Sequence, residues 1–202
     1  FILGITLTIL LFSLISPIDA LSPPPSSDFC KNLTGVPELN GTQIPSGLCS
    51  SQIMGQIPSN DHMLSTLILQ PPNEAVIPAN QTFNVTVKIA NLETGHFSDP
   101  ETEYYLSPQT LNNDGVVVGH SHIVVQPLTS ESGDAPAPDA KTFAFFKGLN
   151  DPFNDGGVFS QEVTGLSAGR YRICTLSSTF THQPVIMPVA KRGAQDDCIR
   201  VS

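Results

Sequence analysis

The sequence predicts an all-β protein, a sandwich of short strands with an extended, disulfide-clipped arm on its N-terminal side. Three observations carry that expectation. Segments of β-type composition recur between turn clusters at intervals of roughly ten to fifteen residues. No long segment shows a helical period. Four cysteines fall as two sequence-local pairs. This rhythm is that of an immunoglobulin- or fibronectin-like sandwich rather than of alternating strands and helices.

The chain begins with an uncharged apolar run, Phe1 to Ile15, followed by Ser16-Pro17-Ile18-Asp19-Ala20. The pattern predicts a signal peptide over residues 1–20 and a mature chain starting near Leu21. The run is short of the roughly 18 to 20 apolar residues of a membrane span, so no anchor is expected after cleavage. Residues 21–62 are rich in Ser, Pro, Gly and Asn, including Ser22-Pro23-Pro24-Pro25-Ser26-Ser27, and read as the arm. Residues 63–202 are expected to form the sandwich.

In an exported chain an even set of cysteines is expected to pair. Proximity favours Cys30 with Cys49 and Cys174 with Cys198, among three formal connectivities. Closing a loop of about 20 residues contributes on the order of 3 kcal/mol in the chain-entropy treatment. Four sequons, at Asn32, Asn40, Asn80 and Asn84, fit a glycosylated secretory route. Nine basic against 18 acidic residues, a net charge of −9, leave no cationic cluster to grip nucleic acid.

Candidate strands are Ser65–Gln70, Thr82–Ala90, Thr102–Leu106, Val116–Gln126, Thr142–Lys147, Gly157–Val163, Arg170–Ser177, Val185–Ala190 and Cys198–Val201. In the second, Phe83, Val85, Val87 and Ile89 alternate with Asn84, Thr86 and Lys88, which buries the apolar set and points Asn84 to solvent. Turn chemistry punctuates the strands at Asn112–Gly115, Asn154–Gly157 and Ser167–Gly169. Leu166-Ser-Ala-Gly-Arg-Tyr171 resembles the turn that enters a late strand of immunoglobulin-like sandwiches.

The segment Val116–Gln126 carries the most chemistry. A period of two places His120 and His122 side by side on one face, about 7 Å apart at their roots, where two imidazoles can converge on one Zn or Cu ion. His182, in a loop between two late strands, is the best third ligand, and His96 is a weaker one. Ligation requires the three ring nitrogens to approach within about 3 to 4.5 Å. The competing reading is structural, with the rings hydrogen-bonded to backbone.

Other chemistries fit less well. Gly119-His-Ser-His-Ile123 lacks the final glycine and the strand-turn-helix context of a nucleophile elbow. A blue-copper site built on Cys174 needs a free thiolate, which a disulfide removes. Acidic stretches at Asp151–Asp155 and Asp196-Asp197 read as turns more readily than as calcium loops. No Trp is present, which weakens a sugar-binding platform, although Tyr104, Tyr105 and Tyr171 remain as aromatic faces.

Six blocks resemble a family of small secreted fungal proteins with a Gly-His-Ser-His strand: Asn91–Gly95, Tyr105–Gln109, Gly119–His122, Phe143–Asn150, Gly169–Arg172 and His182–Val185. Together they span roughly Ser65 to Ser202. The resemblance implies secretion by a fungus and a shared sandwich, and it groups His120, His122 and His182. It brings no settled activity or substrate, and the clipped arm lies outside its pattern. The expectation is an extracellular protein acting on a cell-wall or host component, with a divalent metal in the histidine cluster. The alternative is a small secreted Cu or Zn metalloenzyme using the same residues, for which a carboxylate placed beside the histidines is the distinguishing feature.

Overall fold

The computed structural model describes residues 29–130, 135–153 and 156–202. The leader expected over residues 1–20, the first residues of the arm and Asn154-Asp155 of one acidic turn lie outside them. Among the described residues, eight strands form two sheets: β1 (Ser65–Gln70), β2 (Phe83–Ala90), β3 (Leu92–Glu93), β4 (Val117–Leu128), β5 (Phe145–Leu149), β6 (Val158–Val163), β7 (Arg170–Thr179) and β8 (Cys198–Val201). One sheet runs β1-β2-β6. The other has β4 at its centre, flanked by β7 and then β8 on one side and by β3 and β5 on the other. This is the all-β, immunoglobulin- or fibronectin-like arrangement expected from the strand rhythm.

Period-two patterning sets the packing. On β2, Val85, Val87 and Ile89 are buried while Asn84 and Lys88 face solvent. They meet Ile123 and Val125 of β4, Ile173 of β7 and Ile199 and Val201 of β8 in one core. Each such side chain contributes about 1.5 to 3 kcal/mol by leaving water. At the entrance to β7, the Tyr171 hydroxyl donates to the Ser167 carbonyl at 2.9 Å, the tie that stiffens the corner of such sandwiches.

Cys30 pairs with Cys49, and Cys174 with Cys198. The second bridge joins residues directly opposite each other on β7 and β8. The arm is docked rather than merely extended. Gln109, fully buried, donates from Nε2 to the carbonyls of Gln56 in the arm and Ile186, and accepts from the Ile186 N–H.

Two expected strands are absent. Thr102–Leu106 is a series of turns that the Asp99 side chain initiates by accepting from the Glu101 N–H and the Thr102 hydroxyl. Val185–Ala190 is irregular, because Pro184 and Pro188 lack the donors a ladder needs, and only Pro184 bridges to Ser178. No helix among the described residues is long and apolar enough to cross a membrane.

Candidate metal centre

β4 is buried on both faces. Its odd residues Val117, Ile123 and Val125 enter the core, and its even residues His120 and His122 lie on the opposite face. Gly119 makes this possible, since a Cβ there would stand 2.0 Å from the Ser178 carbonyl oxygen of β7. Only glycine permits that approach. His122 stands opposite Leu176 in the β4–β7 ladder, and its Nδ1 donates to the Leu176 carbonyl at 2.9 Å. His120 Nδ1 donates to the His96 carbonyl at 3.1 Å. With Nδ1 carrying the proton on both rings, each Nε2 keeps its lone pair, the arrangement in which a backbone carbonyl orients a metal-ligating imidazole.

The third ring arrives from a tight turn after β7. The His182 N–H donates to the Thr179 carbonyl and the Thr179 N–H to the Gln183 carbonyl, which brings Pro184 back against Ser178. His182 adopts a left-handed backbone, φ 72°, uncommon for a residue with a Cβ and of a kind that concentrates at functional sites. The segment before β4 props the turn: Tyr105 N–H donates to the Thr181 carbonyl, Ser98 N–H to the Phe180 carbonyl and Thr181 Oγ1 to the Ser107 carbonyl. The arm props that segment in turn. Tyr104 N–H donates to the Gly41 carbonyl, and Gln43 Nε2 to the Pro100 carbonyl.

The three rings converge. His120 lies 4.7 Å from His122 and 4.5 Å from His182, centroid to centroid, and His122 lies 5.8 Å from His182. One ligand nitrogen from each lies within 4.8 Å of the other two. Tetrahedral donors about 2.0 to 2.1 Å from an ion sit about 3.4 Å apart, so the widest pair must close by up to about 1.4 Å. Two buried nitrogens, His120 Nε2 and His182 Nδ1, have no hydrogen-bond partner among the described residues. Both lie inside the cluster, where an ion or an ordered water would satisfy them.

Electrostatics suit ligation. Burial, reinforced by the neighbouring His122 and His182, pushes the His120 pKa down to about 3, against an opposing contribution from the His96 carbonyl. Burial also lowers His122, opposed by the Leu176 carbonyl and Asp196, and lowers His182, with His122 adding to the effect. All three rings are therefore neutral at neutral pH, the form a metal requires.

A cleft of about 430 Å³ opens on the outer side of the triad, walled by His122, His182, Tyr104, Phe146, Leu176 and Asp196, with Gln43 of the arm at its edge. Asp196, whose pairing with Asp197 predicts a turn, also lines this cleft. Its Oδ1 accepts from Thr175 Oγ1 at 3.1 Å, Ser177 N–H at 2.9 Å and Ser177 Oγ at 2.8 Å. Burial raises its pKa against those hydrogen bonds and the nearby His122. Asp197 instead ties the sheets together, accepting from the Ile68 N–H of β1 and the Cys198 N–H.

The remaining candidates separate cleanly. His96 contributes its carbonyl to the site but turns its ring to Glu93, at 2.9 Å. Ser121 is fully buried against Ser177 on the core side of β4, unlike an exposed nucleophile. Cys174 is oxidised, which removes the thiolate of a blue-copper site. Tyr171 is committed to its corner, while Tyr104 stacks on Tyr105 at 4.0 Å beside the cleft. All four sequon asparagines, Asn32, Asn40, Asn80 and Asn84, are exposed.

A two-sheet β-sandwich with a buried three-histidine cluster on the outer face of one sheet is the class of protein these features define. Over residues 66–202 the chain matches the family described as the CLU5d N-terminal domain, and it belongs to that family. It is 45% identical over 173 residues to "Pathogenicity cluster 5 protein d" of the fungus Colletotrichum graminicola. That match covers 85% of this chain but 36% of the relative, so the chain spans about a third of the relative's length. At 173 residues it also extends beyond residues 66–202 into the arm, which the resemblance read from sequence had left outside the shared pattern. No solved structure matches the chain.

Proposed function

We propose that the chain is a secreted fungal glycoprotein that acts as a binding module at the cell surface or host interface, and that His120, His122 and His182 hold one Cu or Zn ion within it. The observation that carries the metal reading is the pair of orphaned buried nitrogens inside a cluster of three convergent imidazoles. The host-interface role draws support from the relative, whose name places it in a pathogenicity cluster. Two disulfides fit an oxidising compartment, and four exposed sequons suit glycosylation at Asn32, Asn40, Asn80 and Asn84. On this reading residues 1–20 are the leader, 21–62 the arm and 63–202 the sandwich, and the partner is a cell-wall or host component rather than nucleic acid or membrane.

Elemental analysis of protein secreted from a eukaryotic host, after incubation with Cu and Zn, tests the metal. One ion per chain is expected for the wild type and none for His120→Ala/His122→Ala. Less than about 0.1 ion per chain in both would sink it, since a site that binds a structural or catalytic metal loads to near unity. Asp196 at the cleft favours a second reading, a metalloenzyme in which a carboxylate serves a metal-bound water. Metal-dependent turnover that Asp196→Asn abolishes, with metal content unchanged, would favour it over the binding module.

A further inference from the structure

The geometry points to a ligand site in the cleft beside the triad, for a small organic molecule that gives the ion an oxygen donor and offers Asp196 Oδ2 a hydroxyl hydrogen, with its apolar body along Phe146 and Leu176. The inference rests on the metal reading and names what would complete the coordination. His120 is fully buried behind the other two rings, whereas His122 and His182 line the cleft, so the cleft is the side from which a fourth donor arrives. A volume of about 430 Å³ leaves space for a single-ring molecule with substituents.

The walls choose the chemistry. Phe146 is 47% and Leu176 44% exposed, an apolar surface that a ligand would cover. Phe146 is held at 5.1 Å from the His122 ring and 5.8 Å from Phe143, so it presents a fixed aromatic face. Asp196, also in the cleft wall, has all three of its hydrogen bonds on Oδ1, and Oδ2 has no partner among the described residues. A carboxylate with one free oxygen accepts hydrogen bonds and repels anions, and the chain's net charge of −9 adds to that preference. The favoured ligand is thus a neutral chelator with an O–H next to its metal-binding oxygen, and a simple carboxylate is disfavoured.

Benzohydroxamic acid and benzoate, titrated calorimetrically into Zn-loaded protein at pH 7, separate the two. The hydroxamic acid is expected to bind at least about tenfold more tightly than benzoate, and at least about tenfold more tightly than to metal-free protein, the scale of one charge-assisted hydrogen bond or one coordinate bond. In Asp196→Asn the Oδ2 acceptor becomes a donor, so with Zn content unchanged the preference is expected to shift toward benzoate. A purely structural Asp196 would leave the ratio of the two affinities unmoved, and that result overturns the inference. Phe146→Ala removes the aromatic wall and, with Zn content unchanged, is expected to weaken hydroxamic acid binding about five- to tenfold; unchanged affinity there overturns the inference even if Asp196→Asn does not fold. Zn uptake without hydroxamate binding refutes the ligand site alone, while failure to take up Zn refutes the metal reading with it.

Discussion

Acidification of the metal-free protein should expose His120 as a stability determinant of known sign. In the folded chain its ring is fully buried and stays neutral until about pH 3, whereas in the unfolded chain it takes up a proton near pH 6.5. Between those values the unfolded state binds more protons, so stability falls as the pH falls through the window and is unaffected above it. Each pH unit inside it is worth about 1.4 kcal/mol, which makes the loss about 3 kcal/mol at pH 4. The lowered pKa values of His122 and His182 act in the same direction. Asp196, whose folded pKa is raised, acts in the opposite one: it favours the folded state below the unfolded carboxyl pKa and loses that contribution as the pH rises. The comparison is with His120→Asn, which keeps an N–H for the His96 carbonyl and does not titrate. Urea unfolding after EDTA treatment, with disulfides intact, should give a stability curve between pH 7 and pH 4 flatter by about 3 kcal/mol in the variant. Parallel curves would show that His120 is not held neutral by the fold and would refute the reasoning.

Three further outcomes follow from the same geometry. Gly119→Ala drives a methyl group into the Ser178 carbonyl, and should cost about 3 kcal/mol and release the metal, read as a drop in Tm together with lost metal content. His182→Asn places a residue tolerant of the left-handed conformation at φ 72°; metal-free stability should rise by about 0.5 to 1 kcal/mol while metal affinity falls, measured by urea unfolding and competition with a chelator. Replacing both Cys174 and Cys198 by Ala opens a bridge with a sequence separation of 24, and should cost about 2 to 4 kcal/mol in chemical unfolding.

The strands that bury one clean face were legible in the sequence because period two is a direct consequence of the pleat, and β2 alternates without a break. His120 and His122 were legible for the same reason, and His182 because loops at the end of a sandwich gather near one another. The failures have physical causes. Tyr104-Tyr105-Leu106 has β-type composition, but Asp99 bends the segment into turns and Tyr105 is left-handed at φ 60°. Val185–Ala190 is apolar enough for a strand, yet Pro188 within it has no N–H to give a ladder. Asp196 carried no signal of its role: two adjacent aspartates read as a turn, and only the pairing of β7 with β8 brings that loop to Thr175 and Ser177. The arm's contribution, Gly41 against Tyr104 and Gln43 at the cleft, depends on contacts more than fifty residues apart in sequence, which composition does not encode.

The two-sided burial of β4 constrains how this protein can change over generations. Odd positions serve the hydrocarbon interior and even positions the imidazole cluster, so the strand has no neutral side on which variation accumulates freely. Gain or loss of a single codon between Val117 and Gly119 would exchange the two sets in the rest of the strand, sending imidazoles into the interior and Ile123 toward the cleft. Descendants of this gene can therefore revise the strand only by replacing one residue with another, each replacement judged by the compartment it faces. Loops that no strand pairing holds are where length is free to drift.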